Sequence, residues 1–183
     1  VEPLTNLDER LLRVARTRGH GDPRIERTVA QFSRLGEHGG IWLAIGATGW
    51  ALDRPRAKEW LRAVETVAGT YALNTAIKLA VRRRRPELPG LPALAGTPTQ
   101  LSFPSAHAST SFAAAGLYAR LGLPAPVLYA LAVKLSLSRL YLGVHYPSDV
   151  LAGALLGVIA GSRAPGAIRF AETVGQHAEG GTP

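Results

Sequence analysis

The sequence predicts an all-α protein, a membrane-embedded bundle of about five spanning helices preceded by amphipathic N-terminal helices. Three observations predict it. Hydrophobic residues make up 46% of the 183 residues and charged residues 19%, a charged share below the soluble average of about 25%. Mean hydropathy is only +0.08, so the polar residues must be concentrated in some segments and scarce in others. Apolar stretches alternate with Arg-, Pro- and Gly-rich connections, and no strand-like alternation stands out.

Residues 6–36 read as two amphipathic helices. Leu7, Leu11, Leu12 and Val14 recur at helical spacing, and Arg10, Arg13, Arg16 and Arg18 give a basic face. Asp22 is placed to cap the second helix, with Pro23 at its first position. That helix carries Ile25, Val29, Phe32 and Leu35. Residues 1–38 therefore form an interfacial segment suited to a membrane surface; ordinary surface helices over a core are the alternative. Residues 39–165 form the membrane bundle and 166–183 a polar tail, disordered at Gly180 to Pro183.

Within the bundle, Ile41 to Leu52 is apolar and uncharged. A span needs ~20 residues, so residues before Gly39 are expected to lengthen it. Trp60 to Val81 is the second helix, Ala106 to Leu121 the third, Pro126 to Leu142 the fourth and Pro147 to Ser162 the fifth. Residues 82–103 form a long loop. Lys134 and Arg139 interrupt the fourth helix, and such groups usually face a bundle interior. Gly153, Gly157 and Gly161 lie on one face of the fifth, where they permit close approach of another helix, within the protomer or across a homo-oligomer.

The net charge is +8. The run Arg82-Arg83-Arg84-Arg85 could suit nucleic acid, but arginines flanking apolar segments fit a membrane edge better, so no nucleic-acid partner is expected. No cysteine is present, which excludes thiolate chemistry and leaves the redox compartment unreadable. Val1 to Arg18 lacks an apolar core of signal-peptide length.

Three clusters carry chemistry, each at a predicted helix end: Lys78 with Arg85-Pro86; Pro104-Ser105-Ala106-His107; and Ser138-Arg139, His145 and Asp149. A phosphate ester needs cations and donors around its oxygens. Lys78, Arg85 and Arg139 supply three cations, two of them bidentate forks. Pro104 and Ser105 open a helix whose free N–H groups suit an anion. Ser105 adds a hydroxyl, and Ala106 can present its backbone N–H. Two histidines match two roles. Asp149 can fix the tautomer of His145 and free its other nitrogen as nucleophile. His107 is then the general acid.

In order and spacing these clusters resemble the signature of the PAP2 (type-2 phosphatidic acid phosphatase) superfamily. Ala106 stands where that signature most often has glycine, and the motifs cover residues 78–149. The resemblance implies a metal-independent lipid phosphatase with a phosphohistidine at His145, hydrolysed by water that His107 activates. It also implies a multi-pass protein of the cell membrane, with membrane lipids and a lipid-linked phosphate as partners. The compact chain is similar to short actinobacterial members that act on decaprenylphosphoryl-5-phosphoribose in arabinan precursor synthesis. Undecaprenyl diphosphate and phosphatidylglycerol phosphate are the alternatives.

Two histidines and Asp149 match a zinc donor set in type, but three cations beside them oppose a metal, and no cofactor is expected. His20, His38 and His177 read as surface or capping residues, and Arg82, Arg83 and Arg84 as headgroup contacts. Ser138 reads as structural, and Tyr141 and Tyr146 as packing groups. A soluble acid phosphatase or haloperoxidase would need polar outer helix faces. A non-catalytic basic membrane adaptor would leave the His–Asp arrangement without a use. If all five helices cross, seven arginines before residue 39 and Arg82 to Arg85 share the catalytic side. The positive-inside rule then favours the cytoplasm, whereas many PAP2 relatives face the periplasm.

Overall fold

A computed structural model of the chain describes residues 2–17 and 21–163; the expectations for His20, His177 and the tail lie outside them. Among the described residues the protein is helical, with α1 (Glu2–Thr17), α2 (Pro23–Arg34), α3 (Gly40–Leu52), α4 (Ala57–Val81), α5 (Ala106–Arg120), α6 (Ala125–Tyr141) and α7 (Pro147–Arg163). Helix α2 starts as its sequence dictates: Pro23 is in its first turn and the Asp22 side chain accepts from the Arg24 N–H at 2.8 Å.

Helix α3 is not lengthened by the residues before it. His38 (φ 52°) and Gly39 (φ 74°) are left-handed and break the chain from the helix, so α3 stays at 13 residues. Among the described residues no helix is both long and apolar enough to cross a membrane; α4, with 25 residues, has the length but not an apolar enough stretch.

Helix α5 is the hub and packs on α3, α4, α6 and α7. Its small, buried Ala108, Ala113, Ala114 and Ala115 let these neighbours come close. The α7 glycines sit against its backbone. A Cβ on Gly153 would lie 2.5 Å from the Ser105 carbonyl, and one on Gly157 would meet the Ser109 carbonyl and, at 2.9 Å, the Ala113 nitrogen. The small-residue face is thus filled within the protomer. On the other side of α5, Trp42, Trp60 and Tyr118 form an aromatic core. Its polar atoms are paired: the Trp42 Nε1–H donates to Ser111 Oγ (2.8 Å) and the Tyr118 hydroxyl to the Trp42 carbonyl (2.8 Å). Lys134, expected to face inward, is exposed on α6.

The loop from 82 to 105 begins with Arg82 in left-handed geometry (φ 54°), which ends α4. Its limbs pair through Arg85 N–H to Gln100 O (3.1 Å) and Ser102 N–H to Arg83 O (2.8 Å). This folds the loop over the ends of α4, α5 and α7, where the chemistry-bearing residues converge.

Candidate active site

A cavity of about 620 Å³ opens at this end of the bundle. Lys78, Arg85, Ala106, His107, Arg139 and His145 line it, so residues up to 67 positions apart meet there. Asp149 stands behind them and is fully buried.

His145 lies in the short turn between α6 and α7 and is 2% exposed. Its Nε2 is 3.1 Å from an Arg85 guanidinium nitrogen. Guanidinium offers only donors, so Nε2 is the unprotonated nitrogen and Nδ1 carries the hydrogen. Nδ1 faces Asp149 Oδ2 at 3.5 Å, within ion-pair range but longer than a well-formed hydrogen bond; Nδ1 has no other partner. Burial pushes the imidazole pKa down to about 3; Asp149 opposes this, and Arg85 and Arg139 reinforce it. The ring is therefore neutral near pH 7, as a nitrogen nucleophile requires.

The cations differ in availability. Arg85 donates to the Val144 and Thr99 carbonyls (2.6 and 2.8 Å), which fix it beside His145, and burial lowers its pKa to about 10. The Lys78 ammonium donates to the carbonyls of Leu101, Ser102 and Pro104 at 3.0–3.3 Å. All three of its protons are engaged by the loop, so in this arrangement Lys78 shapes the pocket wall. Ser105 also differs from expectation. Its N–H donates to the Asp149 carbonyl (2.9 Å), and its hydroxyl is buried without a partner. Ala106 lines the cavity at the start of α5.

Sequence reasoning missed Ser33, on the buried side of α2. Its hydroxyl accepts from Arg139 at 2.7 Å and from Ser138 at 3.0 Å. Its carbonyl accepts from His107 Nε2 at 2.9 Å, so that nitrogen carries the proton. One residue of α2 thus holds both an expected phosphate-binding cation and the expected general acid. Exposed His38 stands at the cavity mouth, its ring 5.6 Å from that of Tyr71.

Arg83 was also misread. It turns inward and donates to Asp149 Oδ1 (2.9 Å), Ser148 Oγ (2.7 Å) and Asp8 Oδ2 (2.7 Å), with its guanidinium 4.0 Å over the Tyr146 ring. Burial alone would lower its pKa; the Asp8 hydrogen bond and the two carboxylate charges outweigh that and raise it. Within the run of four arginines nothing in the sequence marks Arg83 as a second inward one beside Arg85.

Comparison with known proteins places the chain in a family. A family model described as the PAP2 superfamily matches residues 59–166. A Mycobacterium tuberculosis protein named decaprenylphosphoryl-5-phosphoribose phosphatase is 43% identical over 141 residues, covering 76% of this chain and 78% of its own. Its namesake from Mycolicibacterium smegmatis is 42% identical over 134 residues, covering 73% of each. Among solved structures, Aquifex aeolicus LpxE superposes with a TM-score of 0.70 at 25% identity, over 85% of this chain and 92% of that one. The transmembrane PAP2-type phosphatidylglycerolphosphate phosphatase of Bacillus subtilis gives 0.72 at 22% identity, over 95% and 89%, a likeness of fold.

Proposed function

The chain belongs to the PAP2 superfamily and is a phosphoric monoester hydrolase of that family; on this premise we propose that it removes the 5-phosphate of a polyprenylphosphoryl-ribose lipid. The substrate named for its mycobacterial relatives, decaprenylphosphoryl-5-phosphoribose, is the first choice. The observation that carries the mechanism is His145: neutral, buried and fixed with its unprotonated Nε2 beside Arg85 at the cavity.

In the first step Nε2 attacks phosphorus and the bond from phosphorus to the ribose oxygen breaks. The departing alkoxide takes the proton from His107 Nε2, which enters the step as an imidazolium while the phosphate dianion is bound and leaves it neutral, and Arg85 and Arg139 hold the phosphoryl oxygens. His107 must then exchange the Ser33 carbonyl for the leaving oxygen. In the second step water attacks phosphorus and gives a proton to His107; the phosphorus–nitrogen bond breaks and inorganic phosphate leaves. Asp149 stays ionised and stabilises the charge on His145 throughout.

A membrane setting is part of the proposal. Leu52, Leu61, Leu73, Val127, Leu137, Leu151 and Leu155 are exposed along α3, α4, α6 and α7, with Leu52 at 79% and Leu151 at 71%. Exposed leucines and valines on four helices form a lipid-facing belt more readily than a wetted surface. Phosphate release from a panel of defined lipids tests the substrate. The lipid-linked ribose 5-phosphate should show the highest kcat/KM, undiminished by EDTA. A higher value for phosphatidylglycerol phosphate or undecaprenyl diphosphate would reassign it.

A further inference from the structure

We propose that Asp8, on the first helix and outside the family-matched region, is a positioning residue for the reaction, acting through Arg83 to hold Asp149 against the nucleophilic histidine. The inference rests on the mechanism above, in which His145 is the nucleophile.

The contacts form one closed set. Arg83 spreads its guanidinium between two carboxylates, one nitrogen on Asp8 Oδ2 and the other on Asp149 Oδ1. Asp8 also binds the start of α7: its Oδ1 accepts from the Ser148 N–H at 3.0 Å, and its Oδ2 from the Ser148 hydroxyl. Asp149 is the next residue. Its Oδ2 accepts from the Tyr146 N–H (2.9 Å) and faces His145 Nδ1. One carboxylate oxygen is thus tied to Arg83, which leaves the other turned to the imidazole.

The two carboxylates are shielded. Asp8 is 6% and Asp149 0% exposed, and Arg83 is stacked on Tyr146, which packs with Leu12 of α1. A buried carboxylate is costly unless paired. Asp8 has one arginine and one serine as partners, and both also touch or adjoin Asp149. A surface anchor for α1 would not need a carboxylate at this point. Arg16 already ties α1 to the Tyr141 and Pro92 carbonyls. Without Asp8 the guanidinium has one carboxylate left, Asp149, and is free to draw it from His145. The binding cations Arg85 and Arg139 make no contact with Asp8, so substrate affinity should change little.

Outer-shell partners that orient a metal-bound histidine typically affect activity ~10–100-fold, and the same scale is taken for one that orients a reacting histidine. The test is steady-state kinetics on full-length Asp8→Asn, Arg83→Gln, their double variant and Arg83→Lys, with His145→Ala as reference and thermal unfolding measured on each. Asp8→Asn should lower kcat at least ~10-fold with KM within about threefold. The double variant should be no slower than Arg83→Gln alone, because Asp8 acts through Arg83. Arg83→Lys should restore only part of the loss, since one ammonium cannot fork between two carboxylates. Wild-type kcat in folded Asp8→Asn, or independent multiplication of the two losses, overturns the proposal. If Asp8→Asn does not fold, Arg83→Lys decides: wild-type kcat there overturns it too. Activity in His145→Ala would instead sink the mechanism on which the inference rests.

Discussion

Replacing Gly157 by alanine puts one methyl group into the α5–α7 seam. The added Cβ would meet the Ser109 carbonyl, the Ala113 nitrogen at 2.9 Å and the Phe112 Cβ at 3.1 Å. Two of these are helix backbone and cannot rotate away, so the helices must part. Overpacking of this kind costs ~1–3 kcal/mol, against ~1 kcal/mol that alanine gains over glycine in a helix. Gly69 on α4 is the internal control, because a Cβ there meets nothing within 4 Å. Gly69→Ala should therefore gain up to ~1 kcal/mol from propensity alone. At about 2–4 °C per kcal/mol for a chain of this size, the two variants should melt several degrees apart, Gly69→Ala above wild type and Gly157→Ala at or below it. Tryptophan fluorescence reads the transition, since Trp42 and Trp60 are buried. Gly161→Ala should be milder, its nearest contact being 3.1 Å. Turnover should fall in Gly157→Ala as well, because α7 carries Asp149 and α5 carries His107. Equal melting of Gly157→Ala and Gly69→Ala would refute the close-packed seam.

Two further predictions concern pH and sidedness. His145 has a folded-state pKa of about 3, below the ~6.5 of an unfolded histidine, so acid favours the unfolded chain, which takes up the proton first. Its share of stability is intact above ~6.5 and is lost as pH falls toward 3; melting temperature should decline over that window, and less steeply in His145→Gln. Equal slopes for the two proteins would contradict a buried neutral ring. Single cysteines at Thr97, on the loop beside the catalytic cavity, and at Ala125, at the far end of α6, report sidedness without interference, since the chain has no cysteine. If the catalytic end is cytoplasmic, an impermeant maleimide applied to intact cells should label Ala125→Cys and spare Thr97→Cys. The reverse pattern would put the histidines outside.

Local and regular features were legible in the sequence. Helix ends at Asp22-Pro23 and Pro147, the glycine face of α7 and the three motif clusters each depend on residues a few positions apart, and spacing encodes them. Contacts between distant elements were not. Asp8 and Ser148 are 140 positions apart and Ser33 and Arg139 are 106 apart, and nothing in either helix pattern marks the partner. Arg83 is hidden among like neighbours, and its inward turn toward Asp8 and Asp149 depends on contacts 75 and 66 positions away. The contacts of Lys78 with the backbone carbonyls of the adjoining loop are equally unmarked, since nothing near it in sequence names Leu101, Ser102 or Pro104. The length of α3 depends on a backbone reversal at His38-Gly39 that apolar periodicity does not encode.

The most direct test of the account is capture of the phosphoryl group on His145. Enzyme mixed with substrate labelled in the terminal phosphate, quenched in alkali within the first turnover and digested, should yield label on the peptide containing His145. The adduct should be stable to base and lost in acid, as a phosphorus–nitrogen bond requires. His145→Ala should show neither label nor turnover. His107→Ala should still accumulate label where the leaving group needs no proton, because its release by water is slowed ~10²–10⁴-fold. Label on another residue, or full turnover with His145 replaced, would contradict the central claim.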